Sequence, residues 1–256
     1  FIFFLDNDTE IKKDCIGQMV SVLRRDPTIT ACQAVICDFE KRHLIQNPGV
    51  KLWASTGWGL VERQWRENRD IVQEDIVAIS AALLVLRGTF LKVGGFDEDE
   101  ALFTEDLDFS WRIWISGGRV VLVPKAVVYH WTKSMDMRKE MMHNRQVVYF
   151  HLTKNSLISI LKNYEVRYAI YYSTASLVVC LGRAILVLVR RADFSCLSGT
   201  ARGIIWVVAN FGKIMKKRTS VQKTRVVKDE ELFKKIIIRD SLSSIYRKYY
   251  SRSSLI

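Results

Sequence analysis

Residues 93–130 read VGGFDEDEALFTEDLDFSWRIWISGGRVVLVPKAVVYH. Two glycine pairs, Gly94-Gly95 and Gly117-Gly118, punctuate the stretch. Glycine enters the left-handed conformation that closes a helix without steric cost, so each pair predicts a helix stop. Arg87–Val93 is then a short helical turn, 96–104 an acidic loop, and Glu105–Ser116 a helix with Thr104 as its N-cap candidate. Downstream, Arg119–Val123 and Ala126–Tyr129 are apolar and β-branched, which predicts two short strands separated by Pro124. His130 follows the second strand directly.

Upstream, Phe1–Leu5 is a continuous apolar run, as in a strand buried on both faces of a parallel α/β sheet. It stops at Asp6-Asn7-Asp8-Thr9, where Asp8 or Thr9 can cap a helix carrying Ile11, Cys15, Ile16, Met19, Val20 and Leu23 at helical spacing. Residues 29–39 read as a strand, 40–75 as a long irregular excursion of the kind that usually carries function, and 75–86 as another strand. The front half is therefore mixed α/β. From about residue 137 the pattern turns helical, with apolar stretches over 147–161, 168–189 and 203–212, and a helix over 229–250 that alternates apolar and basic residues.

Charge divides the chain in the same way. Residues 1–150 hold 19 Lys and Arg against 21 Asp and Glu, whereas 151–256 hold 20 against 6. The formal charge of +12 thus belongs to the tail, which predicts an anionic partner for that part alone. Five cysteines without a CxxC pair or zinc spacing predict reduced thiols in a core. The chain opens at Phe1 inside an apolar run, which reads as a truncated product, and no secretory leader pattern is visible.

Three groups carry candidate chemistry. Asp6 and Asp8 leave the carboxyl end of a strand, where ligands gather in open α/β sheets. Two carboxylates one residue apart can face a hard divalent cation, or can simply cap the next helix. Glu105 and Asp106 open a helix, where a carboxylate is oriented by backbone N–H groups and can serve as a general base, although acidic residues enrich any first turn. His130 at a strand end can be a metal ligand or a hydrogen-bonded structural histidine.

As an ordered set, V-G-G-F-D-E (93–98), F-T-E-D-L-D-F-S-W-R (103–112) and G-G-R-V-V-L-V-P-K-A-V-V-Y-H (117–130), preceded by F-F-L-D-N-D-T-E, resemble family 2 glycosyltransferases of the GT-A fold, with a rhamnosyltransferase-like cast. The resemblance spans about residues 1–165. It implies a nucleotide-sugar donor, a hydroxyl acceptor, and Mg2+ or Mn2+. Asp6 and Asp8 occupy the D-x-D positions, the second meeting the metal and the first the metal and donor; His130 is a further ligand. Asp106 is the implied catalytic base with Glu105 supporting it, Gly95 and Asp97 shape the acceptor side, and Trp111 and Arg112 line the donor or acceptor pocket. The family's nucleobase-holding strands would precede Phe1, Ser80-Ala81-Ala82 stands where members often carry G-A, and the Q-x-x-R-W signature of processive synthases is absent, which implies single transfers.

These readings predict a partial GT-A domain over 1–136 and a helical, basic, membrane-associated region over 137–256. The 22-residue apolar run at 168–189 is long enough to span a bilayer, but a pair of helices in the headgroup layer or a soluble helical subdomain satisfies the same residues. The predicted function is an inverting, non-processive transferase at the cytoplasmic face of the cell membrane, acting on a lipid-linked or membrane-proximal acceptor, with no nucleic-acid partner. The competing readings are a non-catalytic membrane-associated scaffold and a metal-dependent phosphoester hydrolase.

Overall fold

The computed structural model describes residues 1–60, 73–131 and 144–239. The front half is a twisted mixed sheet in the order β1-β7-β3-β8-β2, with β4 added to β3. The strands are β1 (Ile2–Leu5), β2 (Thr9–Ile11), β3 (Ile29–Asp38), β4 (Ile45–Asn47), β7 (Ala82–Val85) and β8 (Arg119–His130). Helix α1 (Cys15–Arg25) covers one face through Cys15, Met19 and Leu23. Helices α2 (Arg87–Val93) and α3 (Glu105–Ile115) belong to the other. Five further elements follow: α4 (Arg145–Asn163), α5 (Val166–Arg191), α6 (Ser195–Ala209), α7 (Phe211–Thr224) and α8 (Asp229–Lys235).

Several expectations are corrected. Strand β1 is apolar on both faces, Phe3 joining the α1 side and Phe4 the α3 side, but it pairs antiparallel with β7; the parallel pair in this sheet is β3 with β8. Thr9 and Ile11 lie in β2 against β8, so the helix begins only at Cys15, after Asp14 at φ 66°. Residues 75–81 are not a continuous strand. The amides of Ala78, Ile79 and Ser80 are taken by the side chains of Ser110, Gln33 and Asp106, which leaves only Ala82–Val85 for the ladder. Pro124 does not divide β8. Partners run from Ala34↔Val123 directly to Val35↔Val127, so Pro124 sits in a bulge where its missing N–H costs no ladder bond. Thr104 precedes α3 without capping it, because its hydroxyl donates to Glu100 at 3.2 Å.

The excursion after residue 40 contains β4, β5 (Lys51–Trp53) and β6 (Gly59–Leu60); residues 61–72 lie outside the described residues. The helix predicted over 229–250 stops at Lys235. Ile237–Ile238 forms β9 instead and pairs parallel with β5, Leu52 facing Ile237, while residues 240–256 lie outside the described residues. Three consecutive isoleucines at 236–238 are β-branched and suit a strand better than a helix.

The helical half and the sheet share one core. Trp111 of α3 meets the Tyr164 ring edge-on at 4.7 Å, and Tyr164 stacks on Tyr172 and Phe233. Helix α6 lies close along α4, because a Cβ at Gly199 would come within 2.3 Å of the Gln146 carbonyl oxygen. Only glycine permits that approach.

A buried ionic cluster joins the halves. The Lys162 ammonium on α4 bonds Asp97 at 2.5 Å and Glu100 and Asp108 at 3.0 Å each, and it is 2% exposed. Asp108 also accepts from Arg112 Nε at 2.8 Å and from Asn163 at 2.8 Å. Lys217 of α7 bonds both Asp97 and Asp99. The three carboxylates lie close enough together to hold a metal ion, but the Lys162 ammonium already occupies that role. Burial works against the charge on Lys162, yet Asp108, Glu100 and Asp97 outweigh it and raise the pKa of the amine above its usual range. Burial likewise opposes ionisation of Asp97, and Lys162 and Lys217 hold it well below the usual carboxylate range.

Lys162→Met leaves three buried carboxylates without this cation and is expected to cost about 3–5 kcal/mol in urea unfolding near neutral pH. The loss should shrink as pH falls through the carboxylate range, since protonation then removes the uncompensated charge; a loss independent of pH would contradict this.

Candidate functional site

The site gathers at the ends of β1, β2 and β8 and at the start of α3. Asp6 and Asp8 lie in the turn between β1 and β2, tied by the Thr9 hydroxyl to the Asp6 carbonyl at 2.6 Å. β2 pairs Thr9 with His130, and the Trp131 amide donates to the Asp8 carbonyl at 2.9 Å. One ligand atom from each of Asp6, Asp8 and His130 therefore falls within 4.8 Å of the others.

His130 is held in a defined tautomer. Gln46 Nε2 donates to Asp38 Oδ2 and to the His130 carbonyl, both at 3.1 Å, which fixes the amide and turns Oε1 toward the ring. His130 Nδ1 lies 2.9 Å from that oxygen and must carry the proton. His130 Nε2 then faces Asp8, whose Oδ1 is 3.4 Å away. Two carboxylates and one oriented imidazole fit a hard divalent cation, and a carbonyl-type acceptor behind the ligating histidine is the usual supporting arrangement.

Glu105 and Asp106 stand at the N-terminus of α3. Asp106 Oδ2 accepts from the Ser80 amide at 3.0 Å, and Oδ1 from the Leu107 amide at 2.7 Å. Desolvation, reinforced by repulsion from Glu105, pushes its carboxyl up to about 7 against the pull of those amides. Glu105 is also raised, first by burial and further by the charge of Asp6, and its Oε2 is buried without a hydrogen-bond partner. That repulsion links the Asp6–Asp8–His130 cluster to the head of α3.

The remaining predicted residues go elsewhere. Trp111 is 1% exposed and lies in the core against Tyr164, and Arg112 is also buried. Neither lines an open pocket, because α4 covers the side of α3 on which they project. Arg112 instead grips the Val93 and Gly95 carbonyls at 2.6 and 2.7 Å, fixing the Gly94-Gly95 turn from behind. Asp97 is consumed by Lys162 and Lys217. Gly95, at φ 67°, starts the loop whose Phe96 packs on Phe4, one turn of chain from Asp6. Sequence reading missed Gln46, Asp38 and Ser80. Each sits in an unremarkable local context, and Gln46 is 84 residues from the histidine it orients.

Comparison with known proteins bears on the family and the fold. The model for glycosyl transferase family group 2 matches residues 1–208, and the chain belongs to that family. No curated protein sequence matches. Among solved structures, GalNAc-T7 with UDP, GalNAc and Mn2+ superposes with a TM-score of 0.50 at 14% identity, covering 97% of this chain and 41% of that one. The chain thus spans less than half the length of that protein, and the likeness is one of fold, a mixed α/β GT-A-like architecture.

Gln46→Leu removes the acceptor for His130 Nδ1–H and is expected to weaken Mn2+ binding about 10-fold or more by calorimetry, with the fold intact by circular dichroism. Unchanged affinity would show that the imidazole is not a ligand.

Proposed function

We propose that the chain transfers a sugar from a nucleotide-sugar donor to a hydroxyl acceptor with inversion at the anomeric carbon. The observation that carries this reading is Asp106, a carboxylate poised near neutral pH, clamped at a helix head beside the Asp6–Asp8–His130 cluster. Asp106 is the general base: it accepts the acceptor's hydroxyl proton as the oxygen bonds to the anomeric carbon and the nucleoside diphosphate departs from the opposite face. The amides of Ser80 and Leu107 orient the carboxylate, so the proton is taken by a group of fixed direction. Glu105 supports it as the neighbouring carboxylate, whose repulsion helps to raise the Asp106 carboxyl. Asp6, Asp8 and His130 would hold Mg2+ or Mn2+, which would neutralise charge on the departing diphosphate; Asp6 would also face the donor.

The finer parts of the reading rest on sequence. The lack of Q-x-x-R-W supports single transfers, and the basic helical half supports a membrane-proximal, lipid-linked acceptor at the cytoplasmic face. A catalytic unit over 1–136 and a membrane-associated unit over 137–256 remain the proposed division of labour, with the boundary in residues outside the described ones.

Asp106→Asn in a protein that transfers sugar is expected to lower kcat by about 10^2–10^4 with little change in donor affinity. In the unsubstituted protein, kcat/KM should fall below a single acid limb near pH 7, because protonated Asp106 cannot act as a base. Since its folded-state pKa is raised, ionised Asp106 opposes folding above that value, so Asp106→Asn should raise the thermal midpoint at about pH 8 and not at about pH 4. Full activity in the Asn variant would remove Asp106 from the chemistry.

A further inference from the structure

Helix α5 turns an apolar stripe to solvent. Ile170, Tyr171, Val178, Ile185 and Val189 are 50–76% exposed, and Thr174 is exposed among them. At 100° per residue these six fall within roughly a third of the helix circumference and extend about 28 Å. None carries a charge. Phe194, between α5 and α6, and Ile205 and Val208 of α6 are exposed as well. Soluble proteins rarely turn so long an apolar stripe to solvent.

By length and composition α5 can cross a bilayer. Its packing argues against that. The opposite face, from Ala169 through Val179 to Val187, is buried along the whole helix. Alongside runs α4, which carries buried Lys154, Asn155, Lys162 and Asn163. The start of α5 is bound to α8 through reciprocal bonds between Glu165 and Asp229 at 2.6 and 3.0 Å, and Arg145 at the start of α4 reaches Asp193, just past the end of α5, at 2.9 Å. A spanning α5 would draw Lys154 and Asn155 of the adjoining α4 into hydrocarbon, the lysine at several kcal/mol.

We propose that α5 lies in the plane of an anionic phospholipid bilayer, its stripe in the acyl boundary and its flanking arginines on lipid phosphates. Arg190 and Arg191 end the stripe and Arg202 is exposed on α6, whereas Arg167, which precedes it, pairs with Glu230. This pattern complements an anionic surface. It disfavours a second copy of the chain, since a two-fold contact would bring the same arginines together. The inference deepens the membrane-proximal reading above by naming the surface and its lipid charge, and it rests on that reading only for the nature of the acceptor.

The test is flotation of the full chain with vesicles of phosphatidylcholine alone or with about 30% phosphatidylglycerol. The expected result is binding to the anionic vesicles, weakened at about 0.5 M salt and reduced by about 10-fold or more in Val178→Asp/Ile185→Asp, with release into the supernatant by alkaline carbonate. Both substituted side chains are solvent-exposed, and circular dichroism checks that the variant folds. Absence of vesicle binding, binding indifferent to the double substitution, carbonate-resistant retention, or a dimer that the substitutions convert to monomer would each overturn it. Sugar transfer is not read, so a negative result here is separate from failure of the transferase reading.

Discussion

One buried ammonium holds this molecule together. Lys162 on α4 is enclosed by Asp97, Glu100 and Asp108, which come from the loop after the double glycine and from α3. A charge so far from water persists only where opposite charges and hydrogen bonds replace hydration. Here Ser159 and Thr104 satisfy Glu100, Asn163 and Arg112 satisfy Asp108, and Lys217 satisfies Asp97. Because Arg112 also grips the Val93 and Gly95 carbonyls, the same cluster sets the shape of the loop beside the candidate site. Helix α3 is thereby locked at its middle, and its N-terminal carboxylates stand on a rigid support.

The two polar clusters resemble one another in composition and differ in what neutralises them. Asp97, Glu100 and Asp108 have an internal cation supplied by the chain. Asp6 and Asp8 stand instead beside an imidazole, with His130 Nε2 3.4 Å from Asp8 Oδ1 and Nδ1 held by Gln46.

Much of this was legible in residue order. The carboxylates at 6, 8, 105 and 106 and the histidine at 130 stand out in the sequence, and they come together because β2, a stretch that reads as the start of a helix, pairs with β8 and α3 starts nearby. What the sequence could not reveal were contacts made across the chain. Gln46 and Asp38 orient His130 from a stretch without local pattern, and Ser80 clamps Asp106 because the segment at 78–80 gives its amides to side chains in place of a strand. Trp111 and Arg112 read as pocket residues because periodicity does not say what covers a helix. Residues 107–115 are all buried, so α3 has no open side along that length. The direction of β1 was hidden for a similar reason: an apolar run announces burial but not the sense of its neighbour.

The pairing of β9 with β5 also bears on how the chain is made. Leu52 waits for Ile237, and Asp97 precedes Lys162 by 65 residues and Lys217 by 120. During vectorial synthesis the carboxylate-bearing loop leaves the ribosome well before either lysine exists, and one edge of β5 stays open until the last described strand emerges. Such distant closures slow the search for the native state and expose unpaired edges meanwhile. The ionic cluster that joins the two halves can therefore form only once Lys162 has cleared the exit tunnel.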